Sequence, residues 1–237
     1  MGRKEKGSFL CRKRRMPRDF ELAACVPLPL FKDGFNPEAV LPFDLTIDHL
    51  RKAMNEFLNF LGFVNQQLHT KGITRLESML MAANFSSMVG EFMSANIPKY
   101  CPTLAKNTYH NGHPDLVPKG KFPKDAMQHC NEGIEIKGSR YVRGWQGHNA
   151  EDCWLMVFVF DSNRPVDPSK EIFPKPFRFV MVAGAQLAKS DWKFSGRSTT
   201  SRRTITASVT HSGYDKMMTN WIYKGEAALQ GFDKGKE

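Results

Sequence analysis

The run Cys153-Trp-Leu-Met-Val-Phe-Val-Phe160 has no polar face. A strand with one side in water alternates apolar and polar residues, whereas a strand apolar on both sides has to be covered on both. The run is rich in branched and aromatic residues, which favour extended backbone, and Phe177–Val182 repeats its texture. These segments predict central strands of a sheet enclosed between layers. The stretch Trp154–Phe160 is also far too short to span a bilayer.

What precedes the strands has a different period. Ile47, Leu50, Met54, Phe57, Leu58, Leu61, Val64 and Leu68 recur at helical spacing, predicting a helix from Thr46 to about His69. Thr74-Arg75-Leu76-Glu77 has the pattern of a capping box and predicts a second helix that stops before Pro98. That helix is apolar or small around most of its circumference and is expected to be buried. Glu91 falls at the azimuth of Leu80, so it is expected to point inward, either as a functional group or as half of a buried ion pair. Residues 214–230 read as a closing helix. The order of helices, then a mixed sheet, then a β-rich end predicts an α/β (α+β) fold with a central mixed β-sheet flanked by helices. Residues 1–45, basic and then rich in proline and aromatics, read as an irregular arm over a single domain at 46–237.

Charge narrows the partners. The chain of 237 residues carries a formal net charge of +10, and residues 1–18 hold eight Lys/Arg against one Glu. Residues 189–224 add seven Lys/Arg against two Asp. Such concentration favours a polyanionic partner. Five cysteines without CxxC spacing fit free thiols in a reducing compartment. The basic leader is followed by no apolar segment, so a secretory signal is not expected. Together these features predict a cytoplasmic protein with no membrane partner.

The chemistry concentrates in residues 114–138. Gly133-Ile-Glu-Ile-Lys-Gly138 alternates, so Glu135 and Lys137 share one strand face, and Pro114-Asp115 lies upstream. Asp191-Trp192-Lys193 repeats the acid-x-Lys triplet, but without apolar alternation around it. Two carboxylates on adjacent strand ends form an oxygen pocket for a hard divalent cation, with the Ile136 carbonyl a plausible further ligand. Lys137 can orient a water and stabilise a phosphate in transition. The plainer alternative is a surface salt bridge between Glu135 and Lys137, with Asp115 a turn residue.

Pro114-Asp115, Glu135-Ile136-Lys137 and the preceding helix with Glu91 together resemble the PD-(D/E)XK nuclease superfamily, and in particular type II restriction endonucleases. The resemblance covers about residues 75–185. It implies catalytic roles for Asp115, Glu135 and Lys137, and metal ligation by Glu91, Asp115, Glu135 and Ile136. The implied cofactor is Mg²⁺, with Mn²⁺ able to substitute and Ca²⁺ supporting binding only. It also implies cleavage of double-stranded DNA at a specific, palindromic sequence by a homodimer. A repair or mobile-element nuclease of the same superfamily and a non-catalytic DNA-binding protein are the rival readings.

DNA contact is expected from the basic β-rich region 189–216, through Lys193, Arg197, Arg202 and Arg203, since arginine forks match guanine edges and lysines match phosphates. An edge hairpin with protective charges is the plainer reading of the same residues. Trp145, Gln146, His148 and Asn149 lie in a loop that either reaches nucleic acid or packs on itself. His110, His113, His129, Cys130 and Cys101 invite a zinc reading, but their spacing matches no paired-ligand template; loop hydrogen bonding is expected of them.

Overall fold

The computed structural model describes residues 18–147, 149–194 and 206–229. In chain order the helices are α1 (Arg18–Ala24), α2 (Ile47–Thr70), α3 (Leu76–Met79), α4 (Ala82–Tyr100), α5 (His211–Thr219) and α6 (Glu226–Leu229). The strands are β1 (Leu104–Lys106), β2 (Leu116–Pro118), β3 (Ile134–Ser139), β4 (Gln146–Gly147), β5 (Cys153–Asp161), β6 (Arg178–Leu187), β7 (Trp192–Phe194), β8 (Ala207–Val209) and β9 (Trp221–Lys224). A six-stranded sheet runs β1-β2-β3-β5-β6-β9, and a three-stranded sheet runs β4-β8-β7. Only β3 and β5 pair in parallel within the large sheet, so the fold is the expected mixed α/β (α+β) architecture.

The both-sided apolar run explains the layering. Every residue of β5 from Cys153 to Phe160 is buried. Trp154, Met156, Phe158 and Phe160 enter the core formed with α2 and α4, while Cys153, Leu155, Val157 and Val159 enter a second core with Trp145, Trp192 and Met217. Helix α2 supplies Leu50, Met54, Phe57 and Leu61 to the first core, all fully buried. Its start is fixed by Thr46, whose hydroxyl accepts from the His49 N–H at 3.2 Å. Upstream, irregular chain lies along β6 and β9: the Leu28 N–H donates to the Phe177 carbonyl and the Asn36 N–H to that of Ile222.

Several expectations are corrected here. The second helix is two pieces, because Leu80 and Met81 are extended between α3 and α4. Pro98 lies inside α4, which continues to Tyr100. Helix α4 buries one side, through Phe85, Val89, Gly90, Met93 and Ile97, and its many small residues sit in solvent on the other without penalty. The closing helix predicted for 214–230 is interrupted by β9, whose Ile222 and Tyr223 fill the core as strand residues.

Glu77 is no capping residue either. It is fully buried and pairs with Arg75, 2.8 Å away and 2% exposed. The Arg75 guanidinium also donates to Asn163 Oδ1 at 2.8 Å, Glu21 Oε2 at 3.0 Å and the Lys175 carbonyl at 3.0 Å. Asn65 donates to the second Glu77 oxygen at 2.9 Å. A fork of donors satisfied on every side ties α1, α2 and α3 to the loop after β5. Removing one partner of a buried pair leaves the other charge uncompensated. Arg75→Met is therefore expected to cost about 3–5 kcal/mol in urea unfolding, and Arg75→Met/Glu77→Leu to recover much of that loss.

Candidate functional site

The site forms where β3 outruns β2. Pairing between these strands is confined to Leu116–Ile134, so the rest of β3 presents an open edge. Pro114 has no N–H for a ladder, and the Asp115 side chain takes over: its Oδ2 accepts the Ile136 N–H at 2.7 Å. Two glycines permit this closeness. Gly133 has φ +142°, and a Cβ there would collide with the Leu116 carbonyl; a Cβ on Gly138 would collide with the Ser86 carbonyl of α4.

Helix α4 thus roofs the open edge and leaves a cleft of about 260 Å³. Its lining is Ser86, Ser87, Gly90 and Glu91 from α4, with Asp115, Ile136, Lys137 and Gly138 below. A Cβ built on Gly90 would stand 3.6 Å from the Ile136 carbonyl oxygen, which places that oxygen at the cleft. Alternation along β3 is as the sequence implies: Ile134 and Ile136 are buried, and Glu135 and Lys137 are half-buried on the other face.

The structure therefore brings Asp115, Ile136, Lys137 and Glu91 to one cleft, with Glu135 joined to it through Lys137. The Lys137 ammonium donates to Glu135 Oε1. Glu135 Oε2 lies 3.0 Å from His113 Nδ1. Glu91 differs from expectation: its side chain is 66% exposed and pairs with Lys106 at 2.8 Å. The wheel phase carried through Leu80 fails because Leu80 lies outside α4; Glu91 stands at the mouth of the cleft.

Crowding shapes the proton affinities. Burial, and then the Glu135 charge, push Asp115 up to about 7. Burial also works to raise Glu135, but the His113 hydrogen bond and the Lys137 charge outweigh it and hold Glu135 at about 2. Burial alone lowers a lysine, yet the Glu135 and Asp115 carboxylates more than reverse that and raise Lys137 above its usual value.

A second cluster lies beside the first. Ligand atoms of His113, His129 and Glu151 all fall within 4.8 Å of one another, a triad able to hold a metal ion. His113 and His129, expected to serve in loop hydrogen bonding, are both in this grouping, and His113 also pairs with Glu135. Glu151 escaped the sequence reading, because no spacing template links it to residues 113 and 129. The sequence offers only the adjacency of His113 to Pro114-Asp115; the fold adds the parallel pairing of β3 with β5, which brings the residues just before Cys153 alongside the start of β3.

The other candidates lie apart. Lys193 is exposed on β7 of the small sheet. Arg197, Arg202, Arg203 and His148 lie outside the described residues, as does most of the basic leader. Strand β4 pairs with β8, so the loop after the Glu-Ile-Lys triplet and the basic segment form one sheet. Trp145 is buried and donates its indole N–H to the Tyr141 carbonyl, which settles it as packing. Asp191 is buried as a connector, pairing with Lys216 at 2.7 Å.

Comparison with protein-family models, with curated proteins and with solved structures finds no match to this chain. Among the described residues no helix is long and apolar enough to cross a membrane.

The raised Asp115 has a measurable consequence. Its folded-state value of about 7 lies above the ordinary aspartate value of 3.8, so the metal-free fold loses stability as pH rises between those limits. Asparagine keeps an acceptor for the Ile136 N–H without the charge. Asp115→Asn is expected to stabilise the metal-free protein by on the order of 1 kcal/mol or more at pH 8. The gain should vanish near pH 4, as read by thermal unfolding in chelator.

Proposed function

We propose that the protein is a divalent-metal-dependent endonuclease that hydrolyses phosphodiester bonds of double-stranded DNA, by the chemistry of the PD-(D/E)XK superfamily and its type II restriction branch. The observation that carries the reading is the meeting of Asp115, the Ile136 carbonyl and Lys137 in one cleft, with Glu135 bound to Lys137. A net charge of +10 suits the polyanion.

The donor set fits a hard cation. Asp115, Glu91 and Ile136 offer oxygen to the same cleft, and Asp115 is raised by a burden of burial and like charge that a cation relieves. Mg²⁺, with Mn²⁺ as substitute, would be held by Asp115, Glu135 and Ile136, with Glu91 reaching from the mouth. When bound, the ion neutralises charge on the phosphate and makes water a better nucleophile. The chain's own residues do the rest. Asp115 is oriented by the Ile136 N–H, and Glu135 holds the Lys137 ammonium in place. The Glu135 and Asp115 carboxylates raise Lys137 above its usual value, which suits it to act as a cation toward the phosphate.

The two sheets suggest a division of labour. The small sheet, with exposed Lys193 and the adjoining segment that contains Arg197, Arg202 and Arg203, would contact DNA, and two copies of the chain would place two clefts on a palindrome.

A plasmid digest in Mg²⁺ tests the reading: discrete bands support it, structure-dependent nicking points to a repair-type nuclease, and binding without cleavage rejects catalysis. Asp115→Ala and Glu135→Ala are expected to lower cleavage on the order of 100-fold or more, since both sit at the charge-stabilising centre. Lys137→Ala should retain cation binding and DNA binding in Ca²⁺ but lose turnover. Undiminished cleavage by folded Glu135→Ala, or in excess chelator, would sink the assignment.

A further inference from the structure

We infer that His113, His129 and Glu151 form a second metal site, selective for a borderline transition ion of the Zn²⁺ class and linked to the oxygen-lined cleft through Glu135. The donor chemistry separates the two sites. Two imidazoles and one carboxylate suit Zn²⁺ and its neighbours, whereas Mg²⁺ favours oxygen and retains its waters. Bonds of about 2.0–2.2 Å to one tetrahedral ion place ligand atoms about 3.3 Å apart, so a cluster with separations on either side of that value can take the ion through side-chain adjustment. Here all three ligand atoms lie within 4.8 Å of one another.

His113 supplies the independent observation. Its Nε2 is buried and makes no hydrogen bond, although Glu151 Oε2 lies only 2.8 Å away. The contact has the distance of a pair but not the direction. The other ring nitrogen, Nδ1, lies 3.0 Å from Glu135 Oε2. A proton on Nδ1 directed at that carboxylate leaves the Nε2 lone pair free on the side of Glu151. Histidines that bind metals characteristically donate their other N–H to a carboxylate in this way. The His129 ring stacks on His113, with centroids 5.4 Å apart and planes inclined by 21°. His129 is exposed, so the three-ligand set opens to solvent.

The link has a direction. An ion on Nε2 keeps the His113 proton on Nδ1, and so keeps Glu135 Oε2 as its acceptor while Oε1 holds Lys137. His113 is thereby a positioning residue for the Glu135–Lys137 pair. The site itself does not require that the cleft be hydrolytic, and its test uses no DNA.

The test is titration of the metal-free full chain with Co²⁺, a visible stand-in for Zn²⁺. One equivalent should bind with the intense ligand-field absorption of four- or five-coordinate Co²⁺, displaced by Zn²⁺ and unaffected by millimolar Mg²⁺. His129→Ala and Glu151→Gln should each weaken binding by about tenfold or more, and Glu135→Gln by about tenfold through the outer hydrogen bond. Asp115→Asn should leave the titration unchanged. Because His129 is exposed, its replacement is expected to leave the fold intact, and circular dichroism checks both variants. Absence of saturable Co²⁺ binding, or titrations of His129→Ala and Glu151→Gln that overlay the parent protein, would overturn the inference. Loss of the signal in Asp115→Asn alone would also overturn it, by assigning the ion to the cleft.

Discussion

The close crossing of α4 over β3 governs everything that the site can do. At Gly138 the two elements approach until no side chain fits between the strand and the Ser86 carbonyl. One turn further along the helix, Gly90 keeps the roof thin above the Ile136 carbonyl. A larger residue at either position would lift the helix or fill the cleft. The shortness of β2 is the complementary condition, because a full partner strand would have consumed the edge of β3 in ladder hydrogen bonds. An unpaired strand edge is usually a liability for association. Here it is roofed by a helix and claimed by an aspartate.

Electrostatics then follows from geometry. Placing Asp115, Glu135 and Lys137 together out of water is costly for each alone. The cost is distributed unequally: Lys137 and His113 hold Glu135 ionised, while Asp115 is left with a proton affinity near neutrality. Two carboxylates driven apart in this way mark a site that retains capacity for positive charge. The Arg75–Glu77 pair shows the contrast. Its charges are more deeply buried but have every donor and acceptor matched, so it acts as a fastening between elements.

Much of the scaffold was legible because its signals are periodic. Helix α2, the two long strands and the alternation of β3 all follow from spacing, since a buried face imposes a period of 3.6 or 2. What escaped depends on partners remote in sequence. Glu77 fits a capping pattern, and only the position of Arg75 against Asn163 and Glu21 shows it to be a core ion pair. Glu91 was misplaced by one non-helical link at Leu80–Met81, which resets the phase of the wheel. Strand β9 was hidden in a stretch of helical character, because Ile222 and Tyr223 are fixed by β6 and by the arm rather than by local pattern. Recognition of Asp115, Glu135 and Lys137 as a group came from their order along the chain; the His113–His129–Glu151 triad has no such order to detect.

Glu135 joins the two clusters. One oxygen accepts from Lys137, which lines the cleft, and the other lies against His113 of the imidazole cluster. A carboxylate so placed cannot change its hydrogen bonding on one side without altering the charge felt on the other, because only 13% of its side chain is exposed and the local screening is weak. Neighbouring Cys153 registers the same field: burial, and then the Glu135 and Glu151 charges, push its thiol up to about 12, leaving it a neutral packing residue between two acidic groups. The acids of this region thus have no thiolate to compete with for cations. The oxygen donors of Asp115, Glu91 and Ile136 gather on the α4 side of β3, the imidazoles gather on the side of His113, and the Glu135–Lys137 pair joins the two.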